Sequence, residues 1–453
     1  MSKEKILREY PINKALLQLS LPAMIGIMVM AMYNIADTMF VGRIVGTEAI
    51  GGLSIVLPIT MLIAAIGMSI GMGGASIISR HYGAKNVEQA RRTFGNLLIL
   101  AGGIGLVTLA VSLLAARPIL TIFGAKGAIF DEALNYYKIV ILGAPFMGLA
   151  MMGNNVARSE GASKTAMYAM LFSAFLNIIL DALFMITFKM GIAGAAWATF
   201  IAQVASAAYL MIFFASKKSI LSLSPAYWTP DWAIIKETFS IGSSTLARQG
   251  AAAIIAAMIN NSLVHFGNEF YVAIYGLIYR VMMFTFFPMI GIVQGFIPLV
   301  GYNIGAKLLD RVKLTLKTSS IMITAISVVC FVLIFIFAHP IMSLFSKEER
   351  LITAAAHTLR IISISLPVIG IQMLGASYYQ AIGKALPALF LTLSRQVIFI
   401  IPLIIILPQF YGIDGVFYAI PIADFLAFIL TMFFLANSWK KLSSQIPSAA
   451  HNV

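Results

Sequence analysis

Twelve times along this chain a run of about 20 or more mostly apolar residues recurs between polar connections, and that recurrence limits the fold more than any motif does. A hydrocarbon core about 30 Å thick takes about 20 apolar residues per helix at 1.5 Å of rise each. The windows near 15–42, 50–79, 94–116, 132–157, 165–188, 191–215, 239–265, 271–303, 315–338, 354–382, 386–407 and 415–437 all meet that length. With 60% hydrophobic and 11% charged residues, the composition lies far from that of a soluble domain. The sequence predicts an all-α polytopic membrane protein of twelve transmembrane helices. The first window is too long for a signal-peptide core and no small-x-small site follows it, so it is expected to stay as the first helix. One cysteine, Cys330, rules out an intrachain disulfide and a cysteine-based metal site.

A net charge of +14 would suit nucleic acid in a soluble chain, but here the placement of Lys and Arg records orientation instead. Counting Lys317, at the start of the ninth window, with the connection before it, the N-terminus and every second connection after it hold 20 of them, the alternate connections six, and five lie deeper within windows. Both termini are therefore expected in the cytoplasm.

The sequence also repeats itself. Writing GGASIISRHYGAKNVEQARRT (73–93) over GFIPLVGYNIGAKLLDRVKLT (295–315) superposes a Gly-Ala-Lys triplet at an offset of 222. The same offset carries Pro145 onto Pro367, Gly148 onto Gly370, Gly153 onto Gly375 and Gly161 onto Gly383, while GIAGAAWA at 191 matches GIDGVFYA at 412. Six windows per half is an even number, so both halves enter from the same side as a parallel repeat, a plan found in transporters. The polar stretch 216–238 separates residues 1–220 from 221–453 as two pseudo-symmetric six-helix lobes.

At this point the residues carry a resemblance. Pro22 followed by Asp37, Thr38, Phe40, Val41 and Gly42, the paired Gly-Ala-Lys loops, Gln294 to Pro298, and Asn177 with Asp181 together resemble the multidrug and toxic compound extrusion (MATE) family over essentially the whole chain, most closely its bacterial DinF- and MepA-like members. The resemblance implies two lobes around a V-shaped central cleft in a bacterial inner membrane. It also implies antiport of organic cations and other amphiphiles against protons or sodium ions, with no other cofactor, no nucleic-acid partner and no need for an oligomer beyond the monomer. The family's N-lobe cation site carries over onto Asp37, Asn177, Asp181 and Thr199.

Independently of the family, the intramembrane charges divide unevenly. The second half holds Arg248, Arg280 and Arg395 with one acid, Asp424, for which Arg395 or Arg280 is the expected structural partner. The first half holds Asp37 and Asp181 with no deep Lys or Arg, and desolvation favours the protonated form of an acid without a cation beside it. Counted from the nearest outer helix ends, Asp37, Asp181 and Thr199 all fall about 9–12 Å below the outer surface. Asn177 shares a helix face with Asp181, and Tyr33 and Asn34 share one with Asp37. Two carboxylates, an amide and a hydroxyl can hold a shared proton or a sodium ion. Members of the family that couple sodium through the C-lobe place acids in the seventh and tenth helices, where this chain has Gln249, Asn260, Asn261, Gln372 and Gln380.

Pro22 removes one backbone hydrogen bond in mid-helix and is a candidate hinge. Met68, Met72, Gln249, Met283, Phe287 and Gln294 are candidate cleft-lining residues, since methionine and aromatic walls adapt to varied amphiphiles. The absence of G-x-x-x-x-G-K-[ST], H-E-x-x-H and Ser/His arrangements argues against nucleotide-driven transport and against an enzyme. The alternative function is a lipid-linked oligosaccharide flippase of similar helical plan, disfavoured because the first half lacks interior basic residues for a diphosphate.

Overall fold

The structure, a computed structural model, describes residues 3–445, and nearly all of them are helical. The helices are α1 (Lys3–Arg8), α2 (Ile12–Ile44), α3 (Thr47–Gly83), α4 (Val87–Leu114), α5 (Ala116–Ile122), α6 (Ala128–Val140), α7 (Ala144–Ser159), α8 (Ser163–Asp181) and α9 (Ile192–Ala215). The second half follows with α10 (Trp232–Phe266), α11 (Glu269–Gly305), α12 (Leu309–Ser343), α13 (Glu349–Ser363), α14 (Leu366–Ala381), α15 (Ala385–Leu393), α16 (Ile401–Tyr411) and α17 (Ile413–Gln445).

Ten helical spans are long and apolar enough to cross a membrane, and the pair α13 and α14, bent by 48°, makes an eleventh. The 35-residue α10 completes twelve; it is long enough, but Lys236, Glu237 and Arg248 dilute its apolar character. Two of the spans are broken. Pro145 and Pro367, which the repeat superposes, each lie in the first turn of the second segment of such a span, where a missing N–H costs nothing. The helices also outrun the apolar windows by several residues. Asn86, Asp231 and Asn268 accept hydrogen bonds from first-turn N–H groups and so extend helices into polar surroundings that hydropathy does not register.

Each lobe has its own core. Residues of α2 through α9 form two apolar clusters in the first lobe, and a larger cluster fills the second. Leu7, Leu16 and Leu19 belong to that larger cluster, so the start of the chain packs into the second lobe before α2 crosses to the first.

The lobes meet at the end that carries the termini. The two Gly-Ala-Lys loops pack back to back there. A Cβ on Gly83 would lie 1.9 Å from the Tyr302 carbonyl oxygen, and one on Gly305 would lie 1.9 Å from that of Arg80. The lysines that follow, Lys85 and Lys307, both adopt positive φ, 60° and 58°. Arg80 also pairs with Glu237 across the lobes at 2.7 Å. Finally α1 bridges both sides. Lys3 Nζ reaches Glu160 Oε1 at 2.7 Å and the Lys218 carbonyl at 2.6 Å, while Tyr302 donates to Glu4 Oε1 at 3.2 Å and Asn303 Nδ2 donates to the Leu7 carbonyl at 3.1 Å.

Candidate functional site

The two acids of the first lobe come together. Asp37, 7% exposed on α2, and Asp181, fully buried at the last turn of α8, place their carboxyl groups within hydrogen-bonding reach of each other. Asn177 lies one turn before Asp181 on the same helix. With its amide oriented to satisfy both ends, it donates to Asp181 Oδ2 at 3.2 Å and accepts from the Thr199 N–H of α9 at 3.2 Å. One oxygen on each acid, Oδ1 of Asp37 and of Asp181, is buried without a partner. Among the described residues no Lys or Arg forms an ion pair with either. Directly after Asp181 the helix widens into a π segment, Ala182–Thr187. Such segments recur at functional sites because they turn a side chain out of ordinary helical register.

Tyr33 is half-buried beside both acids, and its side chain lines a cavity of about 50 Å³ with Asn154, Ser173, Asn177, Thr199 and Gln203. Asn34 is not brought in: it is exposed, and its amide donates to the Met30 carbonyl of its own helix at 2.7 Å. Tyr136 of α6 was not among the expected residues, yet it is 5% exposed and lies near Thr199 and Asp37. It lies eight residues from the start of α6, at the end away from the termini and about 12 Å deep, so the depth count that groups Asp37 with Thr199 also reaches it.

In the second lobe Asp424 is fully buried and clamped. Arg395 Nε donates to its Oδ1, Ser365 Oγ donates to Oδ2 at 2.7 Å, and Gln372 donates to its backbone carbonyl. Of the two arginines expected as partners, Arg395 is in contact and Arg280 is exposed, with no ion pair among the described residues. A second π segment, Ser394–Ile400, contains Arg395.

The remaining candidates divide by placement. Met72 and Phe287 are 4% and 5% exposed and pack inward, whereas Gln249 and Met283 are accessible and Met68 and Gln294 are half-buried. Arg158 lies just past the fourth apolar window. It is buried at the end of α7, donating to Asn155 Oδ1 and Met170 Sδ at 3.4 Å each, so the first lobe does contain a buried cation, though at the opposite end from the acids. Pro22 is buried within α2, which runs unbroken through it.

Two pseudo-symmetric helical lobes, joined at one end and carrying a carboxylate cluster inside the membrane span, define a membrane carrier rather than an enzyme. The MatE family profile matches residues 22–183 and 251–406. The multidrug export protein MepA of Staphylococcus aureus strain MRSA252 is 31% identical over 93% of both chains, and MepA of Staphylococcus saprophyticus is 29% identical over 92% of both. Two solved structures superpose with TM-scores of 0.91 at 25% identity, covering 98% of this chain and 99% of theirs. One is a MATE multidrug resistance transporter in an outward-facing conformation, the other a transporter from Pyrococcus furiosus described as having a binding pocket of reversed polarity. The chain belongs to the MATE family of multi-pass membrane transporters.

Proposed function

We propose that this protein is a secondary active multidrug exporter that releases cationic and amphiphilic compounds in exchange for entering protons or sodium ions, coupled through the first lobe. The observation that carries the reading is the pair of buried carboxylates, Asp37 and Asp181, with unpartnered oxygens and no cation beside them among the described residues. An acid so placed is expensive to ionise unless a proton or a small hard cation arrives with it, and that is what a coupling site must offer. Asn177 and Thr199 complete an oxygen-rich shell suited to either ion, and Tyr136 lies buried beside it.

The chain works as a monomer in the bacterial inner membrane with both termini in the cytoplasm, the lobes dividing near residue 220. The distribution of Lys and Arg supports that orientation. In it, the contacts between the Gly-Ala-Lys loops and the Arg80–Glu237 pair lie at the cytoplasmic end. Everted membrane vesicles loaded by a fluorescent organic cation test the reading, with a pH gradient and a sodium gradient imposed separately. Gradient-driven accumulation under at least one condition is expected; dye movement indifferent to both gradients overturns coupled export.

A further inference from the structure

The inner and outer halves of α11 treat the same helix face differently. In the inner half, Gly291 and Gly295 leave no room for a Cβ against Met24 and Ser20 of α2, and Gly301 leaves none against Ser79 of α3, so this face abuts the first lobe. Arg280 precedes Gly291 by about three turns and therefore lies on that face. Around Arg280 the face is bare: Tyr279, Met283 and Phe284 are 60%, 45% and 46% exposed, whereas Phe287, Pro298 and Tyr302, on the same face in the inner half, are buried. A stripe that touches the first lobe below and is open above lines the gap between the lobes. Arg280 stands about 16 Å above the contact at Gly291, measured along the helix.

The neighbouring α10 behaves alike. Gly242 fits against the Ser69 backbone of α3, and Gln249, about two turns further out on the same face, is exposed. Beside it Arg248 is half-buried in the middle of α10. Among the described residues neither Arg248 nor Arg280 has an ion pair or a side-chain hydrogen bond. Arg280 is about 16 Å along the helix from Glu269, too deep to reach the outer surface by extending its side chain.

Unpaired guanidinium groups at this depth are costly against lipid but serve well in a cleft that receives an anion. We infer that the second-lobe wall of the cleft reads a carboxylate on the exported molecule, with Arg280 as its principal donor, Gln249 as an amide donor and Tyr279, Met283 and Phe284 as the apolar wall for its body. The substrate class is an amphiphile that carries an anionic group, including zwitterions, and not simple lipophilic cations alone. This rests on the exporter reading above for transport, but not for binding.

Rhodamine B, which has a free carboxylate, and its ethyl ester, which lacks it, share one apolar body and test the inference. Fluorescence anisotropy with purified full-length protein should show the acid bound about tenfold more tightly than the ester. Arg280→Gln should erase that preference by weakening the acid alone, and Arg280→Lys should restore part of it. Equal binding of acid and ester to the native protein, or equal weakening of both by Arg280→Gln, overturns the inference. Gradient-driven uptake of the same dyes into vesicles is read separately. Acid preference in binding without gradient-driven uptake would leave this site standing and bring down the exporter reading instead.

Discussion

The two lobes solve the same problem in opposite ways. Each buries acid inside the membrane span, yet the first lobe leaves Asp37 and Asp181 facing each other without a cation, while the second clamps Asp424 between Arg395 and Ser365. The internal repeat lets the comparison be made position by position. At the offset of 222, Arg395 falls on Ser173, Gln372 on Ala150 and Ser365 on Gly143; at 221, Asp424 falls on Gln203. Ser173, Ala150 and Gln203 line the cavity of the first lobe, so the space that one lobe fills with an ion pair the other leaves open. In the reverse direction Asn177, Asp181 and Thr199 fall on Phe399, Leu403 and Ile420, all apolar. A duplicated scaffold thus carries acids without an ion pair among the described residues in one lobe and a clamped acid in the other.

The comparison breaks most visibly at the acids. Asp37→Asn and Asp181→Asn are each expected to lower gradient-driven efflux at least about a hundredfold while expression and melting temperature stay near native, because an amide of similar shape relieves buried charge. Unchanged efflux in Asp37→Asn would remove the first lobe from coupling. Next in size is a transplant. Ser173→Arg combined with Gln203→Asp moves the ion pair of the second lobe into the open cavity of the first, and efflux should fall at least about tenfold in a protein that still purifies as a single species. Full activity in that double variant would mean that the cavity is dispensable.

Asp424→Asn should act on stability rather than coupling. It strands Arg395, a loss of about 3–5 kcal/mol, read as a lower melting temperature than Asp37→Asn shows. A stable but transport-dead Asp424→Asn would place coupling in both lobes. The smallest effect belongs to Glu160, at the rim of the first lobe outside the spans. Burial pushes its carboxyl above the ordinary value, against the pull of Lys3, the Ile220 N–H and the Ser219 hydroxyl. A raised folded-state value means that stability is fully present below the ordinary carboxylate range and declines as pH rises through the folded value. Glu160→Gln should flatten that decline in melting temperature measured upward from about pH 4. An unaltered slope would assign it to other groups.

Much of this was legible in the residues. The apolar windows fall on the ten spans and on the bent pair α13 and α14, because lipid imposes one length on all of them, and the window at 239–265 falls on α10, whose apolar character is weaker. The repeat marks the two lobes because glycine and proline positions survive where close packing and broken spans need them. Depth counting brings Asp37, Asp181 and Thr199 to one level and, applied to α6, reaches Tyr136 as well. What the residues conceal depends on tertiary packing. Whether Asp424 meets Arg395 or Arg280 turns on a π segment that no local pattern announces, and Tyr33 differs from Asn34 only in which neighbour its side chain turns toward. Arg158 lies one residue past an apolar window, yet α7 runs on through it and buries it.

The reciprocal contact of the Gly-Ala-Lys loops has a mechanical corollary. Gly83 against Tyr302 and Gly305 against Arg80 are the same touch seen from either side of the pseudo-two-fold axis. A rocking of the lobes that respects the axis parts both by the same amount at the same moment, so the inner end behaves as one bolt with two ends and has no half-drawn position. Adding a single methyl group at either glycine wedges the pair as a whole and leaves the inner end ajar.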